Sequence, residues 1–147
     1  MIQFTRLFAT TAILTLAALQ PVRADVSADD VWHILEVYLK ALGAEVNATT
    51  DRSGDTLRVS DVSLSWGLPL ESGTLNITLS AFDLKETGKG AVSVDYGDSA
   101  SYGLTADILD KGIYSGTLEV DTANLVVTAT GTPDDITFES RADRLGV

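Results

Sequence analysis

His33 is the only histidine of the 147-residue chain, and histidine is the side chain best suited to acid and base catalysis near neutral pH. It follows Trp32 in a segment with helical periodicity, and no nucleophile stands at a motif spacing from it. The chain also lacks a Gly-x-Ser-x-Gly elbow, a His-Glu-x-x-His pair, a phosphate-binding glycine loop and any cysteine. We therefore expect His33 to be a surface or packing residue, and the chain to be a non-enzyme without catalytic residues.

Two groups of acidic residues lie in turn-like segments and could offer oxygen ligands to calcium. They are Asp51 with Asp55, and Asp95 with Asp98. An EF-hand loop that began at Asp51 would need a terminal glutamate, and Val62 occupies that position. Aspartates in turns commonly accept hydrogen bonds from the main chain two residues on, so we interpret both groups as turn residues. We predict no metal and no cofactor, and leave calcium binding as the alternative.

The N-terminus predicts export from the cytoplasm. Arg6 precedes an uncharged run from Leu7 to Gln20, and Val22-Arg23-Ala24 supplies small residues three and one positions before a cut. A membrane-spanning helix needs about 20 apolar residues, and this run is shorter and contains three threonines. We expect residues 1–24 to be a cleavable signal peptide and residues 25–147 to form a single periplasmic domain.

The charge of the chain limits its partners. Ten basic and 21 acidic residues give a formal charge of −11, and removal of Arg6 and Arg23 with the signal peptide leaves 8 basic and 21 acidic residues, or −13. Binding to nucleic acid normally needs a patch of lysine and arginine, because the phosphate backbone is anionic. We therefore predict no nucleic-acid partner.

A helix is predicted from about Ala28 to Leu42. Ser27 stands at the N-cap position, Asp29 and Asp30 place negative charge in the first turn, and Gly43 is a typical helix stop. Apolar residues recur at three- and four-residue steps, which places them on one face. They are Val31, Trp32, Leu35, Tyr38, Leu39 and Leu42.

From Glu45 onward the hydrophobic pattern alternates and turn residues recur at short intervals, which predicts antiparallel β-structure. The candidate strands are Leu57 to Trp66, Thr74 to Leu84, Ala91 to Tyr96, Tyr102 to Leu109, Tyr114 to Thr130, with a turn at 121–124 as an equal alternative, and Ile136 to Ser140. The predicted fold class is α+β, with one amphipathic N-terminal helix packed on a curved antiparallel β-meander sheet.

The buried parity of these strands switches partway along them. Leu57 and Val59 are at odd positions whereas Leu64 and Trp66 are at even ones, and the second and fifth candidate strands show the same change. A one-residue slip would turn apolar side chains to the wrong face, so each switch predicts a bulge, a tight turn or a strand that passes between two layers.

Several phrases of the chain resemble a known family. They are Ala24-Asp25 before the tryptophan-bearing helix, Ser53-Gly54-Asp55-Thr56-Leu57 with Val59-Ser60-Asp61-Val62, and Val127-Thr128-Ala129-Thr130-Gly131-Thr132-Pro133-Asp134-Asp135-Ile136-Thr137-Phe138. This set resembles the N-terminal part of the uncharacterised alphaproteobacterial exported family labelled domain of unknown function 2125. Because members of that family look several times longer, the resemblance implies a short or truncated member. It implies no activity and no catalytic residue.

These observations favour a non-catalytic binding or assembly module of the cell envelope. Its partners would be an envelope protein, a lipid, or a second copy paired through sheet edges. The alternative is a protein that binds lipid or another hydrophobic ligand on the apolar face of the sheet, with Trp66, Leu64, Phe82 and Leu84 as the candidate ligand face. The competing interpretation, which a small domain favours, is that the helix covers this face as core.

Overall fold

The computed structural model describes residues 25–69, 72–122 and 125–142, so the predicted signal peptide lies outside the described residues. Within these ranges one helix packs against an open antiparallel sheet of nine strands, which confirms the α+β prediction. The elements are α1 (Ala28–Ala41), β1 (Glu45–Ser53), β2 (Thr56–Gly67), β3 (Gly73–Leu79), β4 (Phe82–Glu86), β5 (Ala91–Asp95), β6 (Ser99–Ile108), β7 (Gly112–Asp121), β8 (Val126–Thr132) and β9 (Asp135–Arg141).

α1 begins at the predicted N-cap. Ser27 and Asp30 form a capping box, in which the Asp30 amide donates to Ser27 Oγ at 3.2 Å and the Ser27 amide donates to Asp30 Oδ2 at 3.0 Å. The two bonds satisfy main-chain donors that have no partner within the helix. The helix ends at Ala41, one residue before the predicted end, and Gly43 follows with φ +85°. The helix prediction is therefore confirmed in position and length.

A charged cluster attaches the start of α1 to the sheet. Glu86 of β4 accepts a hydrogen bond from the Ala28 amide at 3.0 Å and another from Arg52 at 2.7 Å. Arg52, at the end of β1, also donates to Asp29 of the helix at 2.7 Å. The Ala28 amide and the Arg52 guanidinium hold the pKa of Glu86 below its ordinary value of 4.5. This carboxylate therefore joins three elements that are far apart in sequence.

The sheet is an antiparallel meander. The three passes of the chain that follow β2 are each divided into two strands, and the divisions lie side by side across the sheet. β3 and β4 pair with β2 in one continuous register, since Val62 lies opposite Leu79 and Val59 lies opposite Phe82. The next strands, β6 and β5, pair with β3 and β4, and β7 and β8 pair in turn with β6 and β5. β1 lies on the other side of β2, and β9 pairs with β8.

We call the line across the sheet along which these divisions lie the break line. It runs through residues 60–61, 80–81 and 96–98, and through Thr122 and Leu125. Ser80 donates its amide to the Ser101 carbonyl at 2.9 Å, and the buried Thr122 donates its hydroxyl to the Gly97 carbonyl at 2.9 Å. These bonds connect neighbouring strands where the regular ladder stops.

The break line divides the sheet into two halves. The proximal half contains β4, β5, β8 and β9 with residues 56–59 of β2, and the distal half contains β3, β6 and β7 with residues 62–67 of β2. α1 contacts β1, β2 and β4. The core therefore lies between the helix and the sheet near β2 and β4, where Val31, Val59 and Leu84 are fully buried. Phe82 contacts Trp32 and Tyr96, with ring centroids 6.2 and 5.6 Å apart.

The parity switches are explained by the break line. In β2 the switch occurs at Asp61, whose φ of +52° lies in the left-handed region that few non-glycine residues adopt. The predicted strands 74–84 and 114–130 are each two strands, separated at the break line, so their prediction as single strands is wrong and the alternative turn at 121–124 lies where the second one divides. β1 was not among the candidate strands because its sequence is largely polar and all of its residues are exposed or half-buried.

We predict that Glu86→Gln lowers the free energy of unfolding at pH 7 by about 1 kcal/mol, because a neutral amide is a weaker partner for Arg52 and Ala28. A carboxylate whose pKa is lowered on folding stabilises the protein above its ordinary pKa, and this contribution is lost as the pH falls through the folded pKa. Glu86→Gln should therefore also flatten the loss of stability below pH 4.5. Urea unfolding followed by tryptophan fluorescence across this pH range measures both effects.

Glu36→Gln is the matched control for this substitution. The Glu36 carboxylate lies 3.6 Å from Lys40 on the outer surface of α1, where an i,i+4 pair contributes about 0.3–0.5 kcal/mol. If both variants changed stability equally at pH 7 and pH 4, Glu86 would not be a specific link between α1 and the sheet.

We further predict opposite effects of two substitutions at Asp61. Asp61→Gly should preserve or raise stability, since glycine adopts a positive φ without strain. Asp61→Val should lower the free energy of unfolding by about 1–2 kcal/mol, because a β-branched residue is strained there. Denaturant midpoints of the two variants test this, and a neutral Asp61→Val would show that the sheet does not require this conformation.

Candidate binding face

The residues proposed from the sequence as a ligand face lie at the centre of the molecule. Leu64 and Phe82 are each 6% exposed and Leu84 is fully buried, and all three belong to the core cluster under α1. Trp66 is half-buried at its margin, where its indole nitrogen donates to the Leu42 carbonyl at 3.2 Å. A ligand would therefore reach only Trp66 of this group while α1 stays in place.

The same sheet face continues past these residues into the distal half. Residues directly opposite each other on neighbouring strands place their side chains on one face, so the register defines cross-strand rows. Three such rows are Trp66, Leu75, Ala106 and Tyr114; Leu64, Ile77, Leu104 and Gly116; and Val62, Leu79, Tyr102 and Leu118.

Exposure rises along each row with distance from the helix. In the second row Leu64 is 6% exposed, Ile77 is half-buried and Leu104 is 39% exposed. The other rows end at Tyr114 and Leu118, which are 58% and 42% exposed. We call the part of the rows carried by β3, β6 and β7 the distal apolar face. It comprises Leu75, Ile77, Leu79, Tyr102, Leu104, Ala106, Tyr114 and Leu118.

The opposite side of the distal half is largely polar, with the exposed Ile113 as an apolar exception. A shallow depression of about 360 Å³ lies there, lined chiefly by Asn76, Thr78, Thr105, Ser115 and Thr117. Gly103 also lines it, and a Cβ at this position would lie 2.5 Å from Thr78 Oγ1. The two sides of the distal half therefore differ sharply in polarity, as expected when one is solvated and the other is covered.

The strand segments of the distal half lack the positive charge expected of a site that binds an anionic head group. Its strand segments contain no lysine or arginine, and their charged residues are Asp107, Glu119 and Asp121. Lys111, at the turn between β6 and β7, is the nearest cation in sequence. Acidic surroundings repel anionic ligands and tolerate neutral or cationic ones.

The remaining candidate groups show ordinary structural roles. His33 is exposed on α1. Asp95 accepts a hydrogen bond from Lys85 at 2.6 Å and one from the Gly97 amide at 2.9 Å, and these two bonds lower its pKa. The second bond closes the predicted aspartate turn. Within the described ranges no three histidine, aspartate or glutamate side chains are grouped closely enough to hold a metal ion.

Comparisons with protein-family models, with curated proteins and with solved structures find no match to this chain. No helix among the described residues has the length and apolar composition needed to cross a bilayer. The family resemblance of the sequence segments therefore stays a prediction.

The sequence contained part of the signal for the distal apolar face. Tyr102 and Leu104 alternate with small or polar residues in β6, as do Tyr114 and Leu118 in β7. What the sequence could not supply was the register, which places these residues beside Leu75 and Ile77 and beyond the reach of α1.

We predict that alanine substitutions in the buried and in the exposed part of this face lower the free energy of unfolding by different amounts. Leu84→Ala should lower the free energy of unfolding by about 2–4 kcal/mol, because it opens a cavity in a fully buried site. Leu104→Ala should cost less than about 1 kcal/mol, because its side chain is already partly in water. Urea unfolding measures both, and an equal cost would mean that the distal apolar face is core.

Proposed function

We propose that this chain is an exported, non-catalytic binding module of the cell envelope. In this proposal it holds an uncharged or zwitterionic lipid-like ligand against the distal apolar face. Export rests on the predicted signal peptide at residues 1–24, and assignment to the family of domain of unknown function 2125 rests on the resemblance of the sequence segments named above.

The observation that carries the proposal is the rise in exposure along the cross-strand rows. In the proximal half most apolar side chains on this face belong to the core cluster under α1, with Phe138 on the outermost strand an exception at 42% exposed, whereas several of those on β6 and β7 remain partly in water. Soluble monomers rarely expose a large contiguous apolar surface unless it binds something. The face is also backed by a regular sheet, which positions its side chains more firmly than a loop would.

The charge pattern selects the chemistry of the ligand. No lysine or arginine lies in the distal strand segments, so a phosphate or carboxylate head group would have no cationic partner there. Alkyl chains with a neutral head group meet no such penalty. Burial of the partly exposed leucine and tyrosine side chains supplies roughly 25 cal/mol for each Å² of apolar area removed from water.

Trp66 provides a direct test, because it begins the first row and is half-buried at the margin of the face. In a Trp32→Phe variant Trp66 is the only tryptophan. Brominated dodecyl maltoside, an uncharged alkyl probe that quenches tryptophan at contact, should quench its fluorescence below the micelle concentration. Unbrominated dodecyl maltoside is the control for solvent effects.

Leu104→Asn should weaken this quenching by about tenfold or more in the apparent dissociation constant, because it places an amide in the second row. The matched control is Thr78→Asn, which lies on the polar side of the same half. Equal quenching in both variants, or none in the parent, would overturn the proposed function.

A further inference from the structure

Among the described residues, β7 is an exposed sheet edge with few of the features that usually protect such edges. Among the strands that the structure describes it pairs with β6 alone, in a regular register from Gly112 to Asp121. Its sequence contains no proline, lysine or arginine, its two charged residues, Glu119 and Asp121, both lie near its C-terminal end, and all of its residues except Val120 are exposed. Long regular edges of this kind pair readily with other strands.

The other edges differ from β7 in this respect. β1 contains a register shift between Asn47 and Thr49 and carries Asp51 and Arg52. β9 has seven residues, of which Asp135, Glu139 and Arg141 are charged. Irregular pairing and charged side chains both discourage the addition of a strand.

The main-chain groups that β7 directs outward follow from the hydrogen bonds of β6. Leu109 donates to the Ser72 carbonyl and Ser80 donates to the Ser101 carbonyl, so odd-numbered residues of this strand bond toward β3. In an antiparallel ladder alternate residues bond toward opposite neighbours, so even-numbered residues of β6 bond toward β7. Their partners in β7 are also even-numbered. The outward N–H and C=O groups of β7 therefore belong to Ile113, Ser115, Thr117 and Glu119.

We propose that β7 pairs antiparallel with β7 of a second copy of this chain, about a two-fold axis between the Gly116 residues. In this register Tyr114 lies opposite Leu118 of the partner subunit, on the same side as the distal apolar face. Ile113 lies opposite Glu119 of the partner subunit and Ser115 opposite Thr117 of the partner subunit, and these are the hydrogen-bonding pairs. The pairing gives about eight main-chain hydrogen bonds, within the range of ordinary interfaces.

Three features favour a second copy as the occupant. The pairing is self-complementary, since each outward residue meets another outward residue and no two acidic residues lie opposite each other. Gly116 has room on its side-chain face, because a Cβ there meets no atom within 4 Å, so the two copies can approach closely at the axis. Tyr114 and Leu118 are the exposed ends of two rows, and the pairing covers each with the other.

The pairing extends the proposed function because it joins two distal apolar faces into one continuous face. The inference rests on that function only for the use of the joined face, and the dimer itself depends on the backbone of β7. The acidic charge of each copy opposes association at long range. The dimer dissociation constant should therefore tighten several-fold from roughly 50 mM to roughly 500 mM salt.

The chain contains no cysteine, which makes single-cysteine cross-linking a specific test. Gly116→Cys, in the exported chain purified from a periplasmic fraction, should form a disulfide-linked dimer under mild oxidation, because the two Cα atoms would lie within disulfide range. Thr78→Cys is the matched control, since Thr78 is exposed in the same half but lies two strands from the edge. Equal cross-linking of the two variants, or a disulfide to another protein at Gly116→Cys, would overturn pairing with a second copy.

Sedimentation equilibrium of the unaltered chain provides the second measurement. We expect a dimer that Ser115→Pro weakens by about tenfold or more, since proline removes an outward N–H from each copy and leaves the ladder to β6 intact. Circular dichroism would verify that this variant folds. A monomer at roughly 100 µM in high salt would refute the dimer. If that monomer still showed quenching of Trp66 by the brominated probe, the proposed function would stand without it.

Discussion

The break line is the constraint on which the rest of this structure depends. A β-strand turns alternate side chains to opposite faces, so a strand whose apolar residues change parity would expose half of them if it continued regularly. Here neighbouring strands change parity at one level, and Asp61 adopts a left-handed conformation where β2 crosses that level. The apolar residues before and after the line therefore face the same side, and Val59 and Val62 belong to one core cluster.

A single helix cannot cover a sheet face of this length. α1 has 14 residues, which corresponds to about 21 Å at 1.5 Å per residue, and its start is held near β4 by Glu86 and Arg52. Its other end reaches only as far as Trp66, whose indole bonds to the Leu42 carbonyl. The apolar rows that continue onto β6 and β7 lie beyond it. Uneven coverage thus follows from the helix length and from the position of its anchor.

Local signals in the sequence predicted α1 and its packing on an antiparallel meander sheet, but they did not supply the strand register or every strand boundary. The capping residues Ser27 and Asp30 and the stop at Gly43 define α1 through contacts within a few residues. The parity switches are also a local signal, so the sequence predicts interruptions, although two of the predicted strands are too long. The sequence does not predict β1, because this strand is stabilised by pairing with β2 and has no apolar pattern of its own.

The candidate site illustrates the same limit. Leu64, Phe82 and Leu84 have the composition of a ligand face, and only the placement of α1 decides that they are core. Tyr114 and Leu118 have similar side chains and become surface because their strand lies at the edge of the sheet. Residue type indicates that a side chain prefers an apolar contact. Register and helix position determine whether the chain itself supplies that contact.

The edge and the face of the distal half make different demands on any partner. The distal apolar face requires only apolar contact, which an alkyl chain provides. The outward main-chain groups of Ser115 and Thr117 require donors and acceptors at the spacing of a strand, which an alkyl chain lacks. A ligand and a paired strand can therefore occupy the same half of the sheet together, because each satisfies groups that the other leaves in water. A second copy of β7 is suited to the edge because its pattern of outward groups and of apolar and small residues matches itself under a two-fold rotation.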